Sequence, residues 1–205
     1  MPKSARRVVL ALGLCAAFSV LAQAQETKPP LRSVYTDFSI KTCPNDFGRP
    51  LKYLADHQAI TYRCEGFGGK AVHTTFFGPY VWVYISNTKG LKQPSTGQVF
   101  RTGYGVGDKI EWRGRGEGKA FVPEAVILRL QARENSEVVR SALGIARIVN
   151  GTVCAVAYID GRETDANSQA RAAADEAIRN DTCPLGRVPR IIGKETELVK
   201  EIRDN

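Results

Sequence analysis

The sequence predicts an α+β fold: a mainly antiparallel β-sheet of about seven to eight strands, with one main C-terminal α-helix packed on it and two disulfides. Three observations carry this. Two apolar runs, 142–149 and 152–159, flank Asn150-Gly151, the dipeptide preferred where both central turn residues need positive φ. Ala166, Ala170, Ala173, Ala174, Ala177 and Ile178 then recur at helical spacing as one small-residue stripe, suited to close packing on a sheet. Cys154 and Cys183 bracket hairpin and helix, and Cys43 and Cys64 lie together in the first half.

The chain opens on a leader. Lys3, Arg6 and Arg7 precede an apolar stretch over 8–21, and Ala22-Gln23-Ala24 offers a small-x-small cleavage site. Residues 1–24 therefore read as a signal peptide. Its apolar stretch is shorter than the ~20 residues that cross a bilayer, so no transmembrane segment is expected after cleavage. Cys15 follows Leu14 and sits within the apolar run, which disfavours lipidation. The expected location is periplasmic or secreted, in a bacterium.

Cleavage leaves 181 of the 205 residues, enough for a single domain with a core, expected over 33–183. Three cations leave with the leader, so 29 Lys+Arg become 26 against 21 Asp+Glu, a net +5. That is a mildly basic chain and not a polycation, and no nucleic-acid partner is expected. Four cysteines remain, and an even number in an oxidising compartment implies disulfides. Of the three connectivities, Cys43–Cys64 with Cys154–Cys183 is the economical one, each bridge contributing about 3–4 kcal/mol in the chain-entropy account. No two cysteines stand at the C-x₂₋₄-C spacing of a zinc site.

In order, 25–32 is a polar, Pro-containing lead-in, and 33–40 alternates as a first strand with Val34, Thr36, Phe38 and Ile40 on one face. Residues 44–56 read as loop, 59–64 as a second strand, and Gly66, Gly68 and Gly69 break it. Strands over 70–76 and 80–86 follow around Gly78-Pro79, then a surface loop over 87–107. Further strands are expected over 109–113 and 124–131, joined by a flexible turn through 114–119. The two-residue turn of the hairpin sets Val149 opposite Thr152, Ile148 opposite Val153, Arg147 opposite Cys154, Ile145 opposite Val156 and Leu143 opposite Tyr158. The helix is expected over 164–179, capped by Thr164 or Asp165. Residues 184–205 read as a basic and charged tail with a short, frayed helix over 195–202.

Several stretches together are similar to a family of exported proteobacterial proteins of uncharacterised activity. They are Cys64-Glu65-Gly66-Phe67-Gly68-Gly69, Ile110-Glu111-Trp112-Arg113, Ile127-Leu128-Arg129, Cys154 through Asp160, and the alanine-rich run from Asp165 to Ala177. The resemblance covers most of the mature chain and implies a periplasmic, disulfide-bonded α+β domain. Where the family carries a Gly-Asp-Leu-Arg-like run, this chain has Gly78-Pro79-Tyr80-Val81. The resemblance implies no activity.

No catalytic residue, metal or cofactor is assigned. His57 and His73 stand outside any metal or nucleophile motif, no Gly-x-Ser-x-Gly elbow occurs, and the cysteines are better used as bridges. Gly116-Glu117-Gly118-Lys119 lacks the first glycine and the Ser/Thr of a phosphate loop.

Two features bear on binding. Tyr80, Trp82 and Tyr84 share one strand face, as a stacking platform or, with an apolar opposite face, as part of a doubly buried strand. Arg113, Arg115 and Lys119 beside Trp112 form a basic, glycine-rich segment suited to an anionic envelope component or an envelope protein. The leading expectation is a non-catalytic, inhibitor-like interaction module, and Cys64–Gly69 is faintly similar to loops of bacterial lysozyme inhibitors. The alternative is a hydrolase of cell-envelope substrates using two of Glu65, Asp108, Glu111 and Asp160 in one pocket. A purely structural envelope protein is the third reading.

Overall fold

The computed structural model describes residues 28–44, 59–86, 99–133, 139–181, 183 and 188–204. The expected signal peptide over 1–24, His57, most of the loop expected over 44–56 and residues 87–98 lie outside the described residues. Among those described, ten strands and two helices form a mainly antiparallel α+β fold.

A six-stranded sheet has the order β1-β6-β7-β8-β9-β10, made of β1 (Arg32–Asp37), β6 (Gly105–Arg115), β7 (Val122–Arg133), β8 (Val139–Val149), β9 (Thr152–Asp160) and β10 (Arg190–Ile192). A four-stranded sheet has the order β2-β3-β4-β5, from β2 (Ile60–Glu65), β3 (Ala71–Phe77), β4 (Tyr80–Ser86) and β5 (Phe100–Thr102). Only β10 runs parallel to its neighbour, β9. The helices are α1 (Ala166–Arg179) and α2 (Glu197–Asp204).

Three layers result. The small sheet contributes Cys64, Val72, Val83, Ile85 and Phe100 to a core shared with Trp112, Leu128, Leu130 and Tyr158 of the large sheet. The other face of the large sheet packs Ile127, Leu143, Ile145 and Ile159 against α1. All six residues of the expected alanine stripe are buried there. Two bridges staple the layers, Cys43–Cys64 and Cys154–Cys183, the pairing the sequence favoured.

The glycine bend after β2 is a packing device. A Cβ at Gly66 would stand 2.8 Å from the Trp112 indole, so the bare backbone lets that fully buried ring reach the hairpin. Phe67 closes the same contact edge-on to Phe121, with ring centroids 5.3 Å apart.

Five expectations need correction. The 87–107 stretch is not all surface loop: β5 lies in it, Phe100 is buried in the core, and β6 already begins at Gly105. The 114–119 turn is shorter than expected, because β6 continues to Arg115 and a single 3₁₀ turn at Gly118–Ala120 leads into β7.

The hairpin keeps its register from Val149–Thr152 through Arg147–Cys154, with Asn150 and Gly151 both at positive φ, and then slips. Ile145 pairs with Ala157 and Leu143 with Ile159, because a β-bulge inserts Val156. Val156 and Ala157 consequently both face α1, and Tyr158 turns into the core between the sheets.

Asp165 precedes α1 but makes no side-chain cap bond, since its backbone is left-handed at φ 59°. Finally, the described part of the expected tail, residues 188–204, belongs to the domain, for β10 joins the large sheet and α2 buries Leu198, Val199 and Ile202 in the inter-sheet core.

Candidate functional site

Trp112, expected beside a basic binding segment, does not reach the surface. It is fully buried, and its Nε1 donates to Thr36 Oγ1 at 2.9 Å, satisfying the one polar atom of the ring. Strand alternation then turns its neighbours Glu111 and Arg113 to the opposite face, toward α1. There the helix presents Asn167, Arg171 and Asp175 at i, i+4 and i+8, a polar edge beside the alanine stripe. Each meets a strand residue.

Asp175 takes a bidentate pair from Arg113, Nε to Oδ1 at 2.6 Å and Nη2 to Oδ2 at 2.8 Å. The hydrogen bond to Asp175 holds the Arg113 guanidinium above its ordinary range. Arg171 Nε donates to Glu111 Oε1 at 2.8 Å, and its Nη2 donates to the Tyr35 hydroxyl at 3.1 Å. Ser33 donates its hydroxyl to Glu111 and accepts from Arg113 Nη1 at 3.1 Å, tying the first two rungs together. The third rung is looser: Arg129 Nη2 stands 3.4 Å from Asn167 Oδ1, while Nη1 donates to Ser141 Oγ at 2.8 Å.

The basic segment is thus largely committed. Arg113 belongs to Asp175, and Arg115 pairs with Glu124 at 2.5 Å. Lys119 stands exposed in the 3₁₀ turn. The three cations do not converge on one free anion site as the sequence suggested, because acids from β7 and α1 have taken two of them.

The aromatic strand divides. Tyr84 is buried, while Tyr80 and Trp82 are half-buried on the sheet face turned away from the inter-sheet core. Arg101 lies over the Tyr80 ring, 3.8 Å from its centroid, and Phe77 tilts against Trp82 with centroids 5.7 Å apart. Val81, Val83 and Ile85 are buried on the opposite face, so both faces of β4 are substantially covered.

Of the four acids, two share a concavity. Asp108 and Glu111 line a hollow of about 230 Å³ with Tyr35, Lys109, Arg129 and Asn167, floored by Ile127 and Leu143. Glu65 lies elsewhere, in a hollow of about 610 Å³ beside the Cys43–Cys64 bridge. Asp160 is buried and held by Arg162 at 2.8 Å and Thr196 at 2.7 Å. These bonds, Arg162 foremost, hold its carboxyl well below the usual carboxylate range.

The hollow at Asp108 and Glu111 also collects residues not expected at a site from the sequence, namely Tyr35, Arg129 and Asn167. One signal was available: Arg129 interrupts the apolar run 125–130 at a position in phase with Ala125 and Ile127, which face α1.

Among the described residues, no three His, Cys, Asp or Glu side chains group as a metal ion would require, and no helix is long and apolar enough to cross a membrane. In comparisons with known proteins, no protein-family model, curated protein or solved structure matches this chain.

Proposed function

We propose that this chain is an exported protein, periplasmic or secreted, that works by binding and has no catalytic role of its own. Its surface for doing so is the hollow where β6 and β7 meet α1. The observation that carries this reading is the fate of Glu111. A general acid or nucleophile needs a carboxyl free to exchange protons or attack. Glu111 is itself buried and accepts from both Ser33 and Arg171 within a partly buried ion-pair ladder. A hollow with fixed charges, an apolar floor and a rigid sheet behind it is suited to recognition.

Export is supported by the leader pattern over 1–24 and by two disulfides, which persist in oxidising compartments. The resemblance to an exported family points the same way. In such a compartment the partner is an envelope protein or an anionic envelope component. The hydrolase alternative rests on one observation, that Asp108 and Glu111 line the same hollow.

The test is a panel of soluble envelope fragments, namely amino sugars, acidic sugars and short cell-wall peptides. Each is offered to the exported protein with binding followed by thermal shift and turnover by mass spectrometry. Saturable binding without product is the expected result. Product formation that Glu111→Gln abolishes would replace this reading with the hydrolase one.

A further inference from the structure

Among the described residues the two sheets end in four edge strands, and three of these are short or covered. β5 and β10 have three residues each. Along β2, Arg63 already donates its N–H to the Pro44 carbonyl at 2.9 Å, in the segment that Cys43–Cys64 ties down. β1 remains, six residues long at the end of the large sheet. Its register with β6 is unbroken, and Phe38 N donates to Asp108 O at 2.8 Å at the next position of the same ladder. Phe38 is therefore a hydrogen-bonded site, and so, at every second residue, are Thr36, Val34 and Arg32. Ser33, Tyr35 and Asp37 turn their N–H and C=O groups away from β6. Among the described residues nothing pairs with these three donors and three acceptors.

Strand edges are commonly protected by proline, a bulge or an unpaired charge. β1 has no proline and no bulge. Its charges stand at its two ends and are both answered within the chain, Arg32 by Glu117 and Asp37 by Lys109. Between them Ser33, Val34, Tyr35 and Thr36 are uncharged, and Tyr35 is 51% exposed.

We propose that β1 pairs antiparallel with β1 of a second copy of this chain, about a two-fold axis at Tyr35. The strand's own register selects that occupant. Its three outward residues are symmetric about Tyr35, so the two-fold sets Tyr35 opposite Tyr35 and Ser33 opposite Asp37. Every outward N–H then meets an outward C=O. A slip of two residues leaves Ser33 or Asp37 of each copy beyond the paired strands. Charge agrees with the register. On the α1 face the row through Ser33 reads Arg113, Ser33, then Asp37 and Lys109 of the second copy, so no like charges are set opposite each other. Both copies keep α1 on the same face, and Tyr35 walls the hollow of each. The pairing does not depend on what that hollow binds.

The contact spans residues 33–37, about 17 Å at ~3.4 Å per residue, which places it among the small, weak interfaces. Sedimentation of the exported protein from about 1 µM to 1 mM is expected to show monomer passing into dimer. Amide exchange by NMR at both ends of that range reads the edge itself. The N–H groups of Ser33, Tyr35 and Asp37 are expected to slow about tenfold at high concentration. Those of Val34 and Thr36, already inside the β6 ladder, should not change. Tyr35→Lys sets two like charges opposite each other on the axis and is expected to keep the chain monomeric. If that variant loses its fold, the exchange pattern of the wild type decides alone. The proposal is overturned by a monomer throughout the range, or by a folded Tyr35→Lys that still dimerises. It is equally overturned if the dimer leaves exchange at 33, 35 and 37 unchanged, or if exchange there is slow at every concentration.

Discussion

Arg113 on β6 and Asp175 on α1 close a bidentate ion pair, 2.6 and 2.8 Å, across 62 residues of sequence. Both side chains are mostly buried, with 14% and 18% of their surfaces exposed. Screening is therefore weak, and removing one partner strands the other charge. Arg113→Ala is expected to destabilise by about 2–3 kcal/mol. Arg113→Lys keeps the charge but loses the fork, so it restores only part of that. Urea midpoints of the two variants and of Asp175→Asn check this. A double mutant no worse than either single variant marks the pair as one unit.

Val199 on α2 is fully buried between the sheets. Were the C-terminal segment a frayed tail, truncating this side chain would leave stability unchanged. Because it fills the core, Val199→Ala is expected to lower the unfolding free energy by about 1.5–3 kcal/mol, through lost burial and a cavity that rigid strands do not collapse into. Lys200→Ala, on the exposed side of the same helix, should stay within about 0.5 kcal/mol. Paired denaturation curves compare them.

The Cys154–Cys183 bridge closes a loop with a sequence separation of 29, running through the β9 strand and the whole of α1. Chain-entropy reasoning gives such a loop about 3–4 kcal/mol. The double variant Cys154→Ala/Cys183→Ala is expected to lose that much, read from guanidinium unfolding. Cys43→Ala/Cys64→Ala, with a separation of 21, should lose slightly less.

Local pattern made the hairpin, the alanine helix and the four central cysteines legible, because each is a short-range signal: a turn dipeptide, a 3.6-residue period, a count in a compartment. The bulge at Val156 was hidden for a physical reason. Residues 155–159 are apolar or aromatic throughout, so either register buries the same kind of surface, and only the packing of Tyr158 between the sheets selects one. β5 is three residues long and carries no periodicity. The site was half legible. Asp108 and Glu111 were singled out as acids near bends, yet Arg113 and Arg115 looked solvent-facing, since their partners lie on elements that only the fold brings near. Charge in a sequence reads as surface until tertiary pairing is known.

Asp160 gives the fold a dependence on acid. Its carboxylate is buried, accepts from Arg162, and accepts from Thr196 just ahead of α2. These bonds hold its folded pKa below the unfolded carboxylate value of about 3.9. A depressed carboxylate stabilises the native state above the unfolded pKa, and that contribution fades as pH falls through the folded one. Wild-type stability should therefore decline from about pH 5 downward. Asp160→Asn should be less stable than wild type at neutral pH, with the gap narrowing in acid as the wild type loses the same interaction. Because asparagine offers one acceptor oxygen where the carboxylate offers two, Arg162 and Thr196 compete for it, and the amides of α2 should gain exchange in Asp160→Asn before those of α1. Urea titrations across the acid range, with hydrogen exchange on both helices, measure this; a gap independent of pH would assign the Asp160 contribution to packing instead of charge.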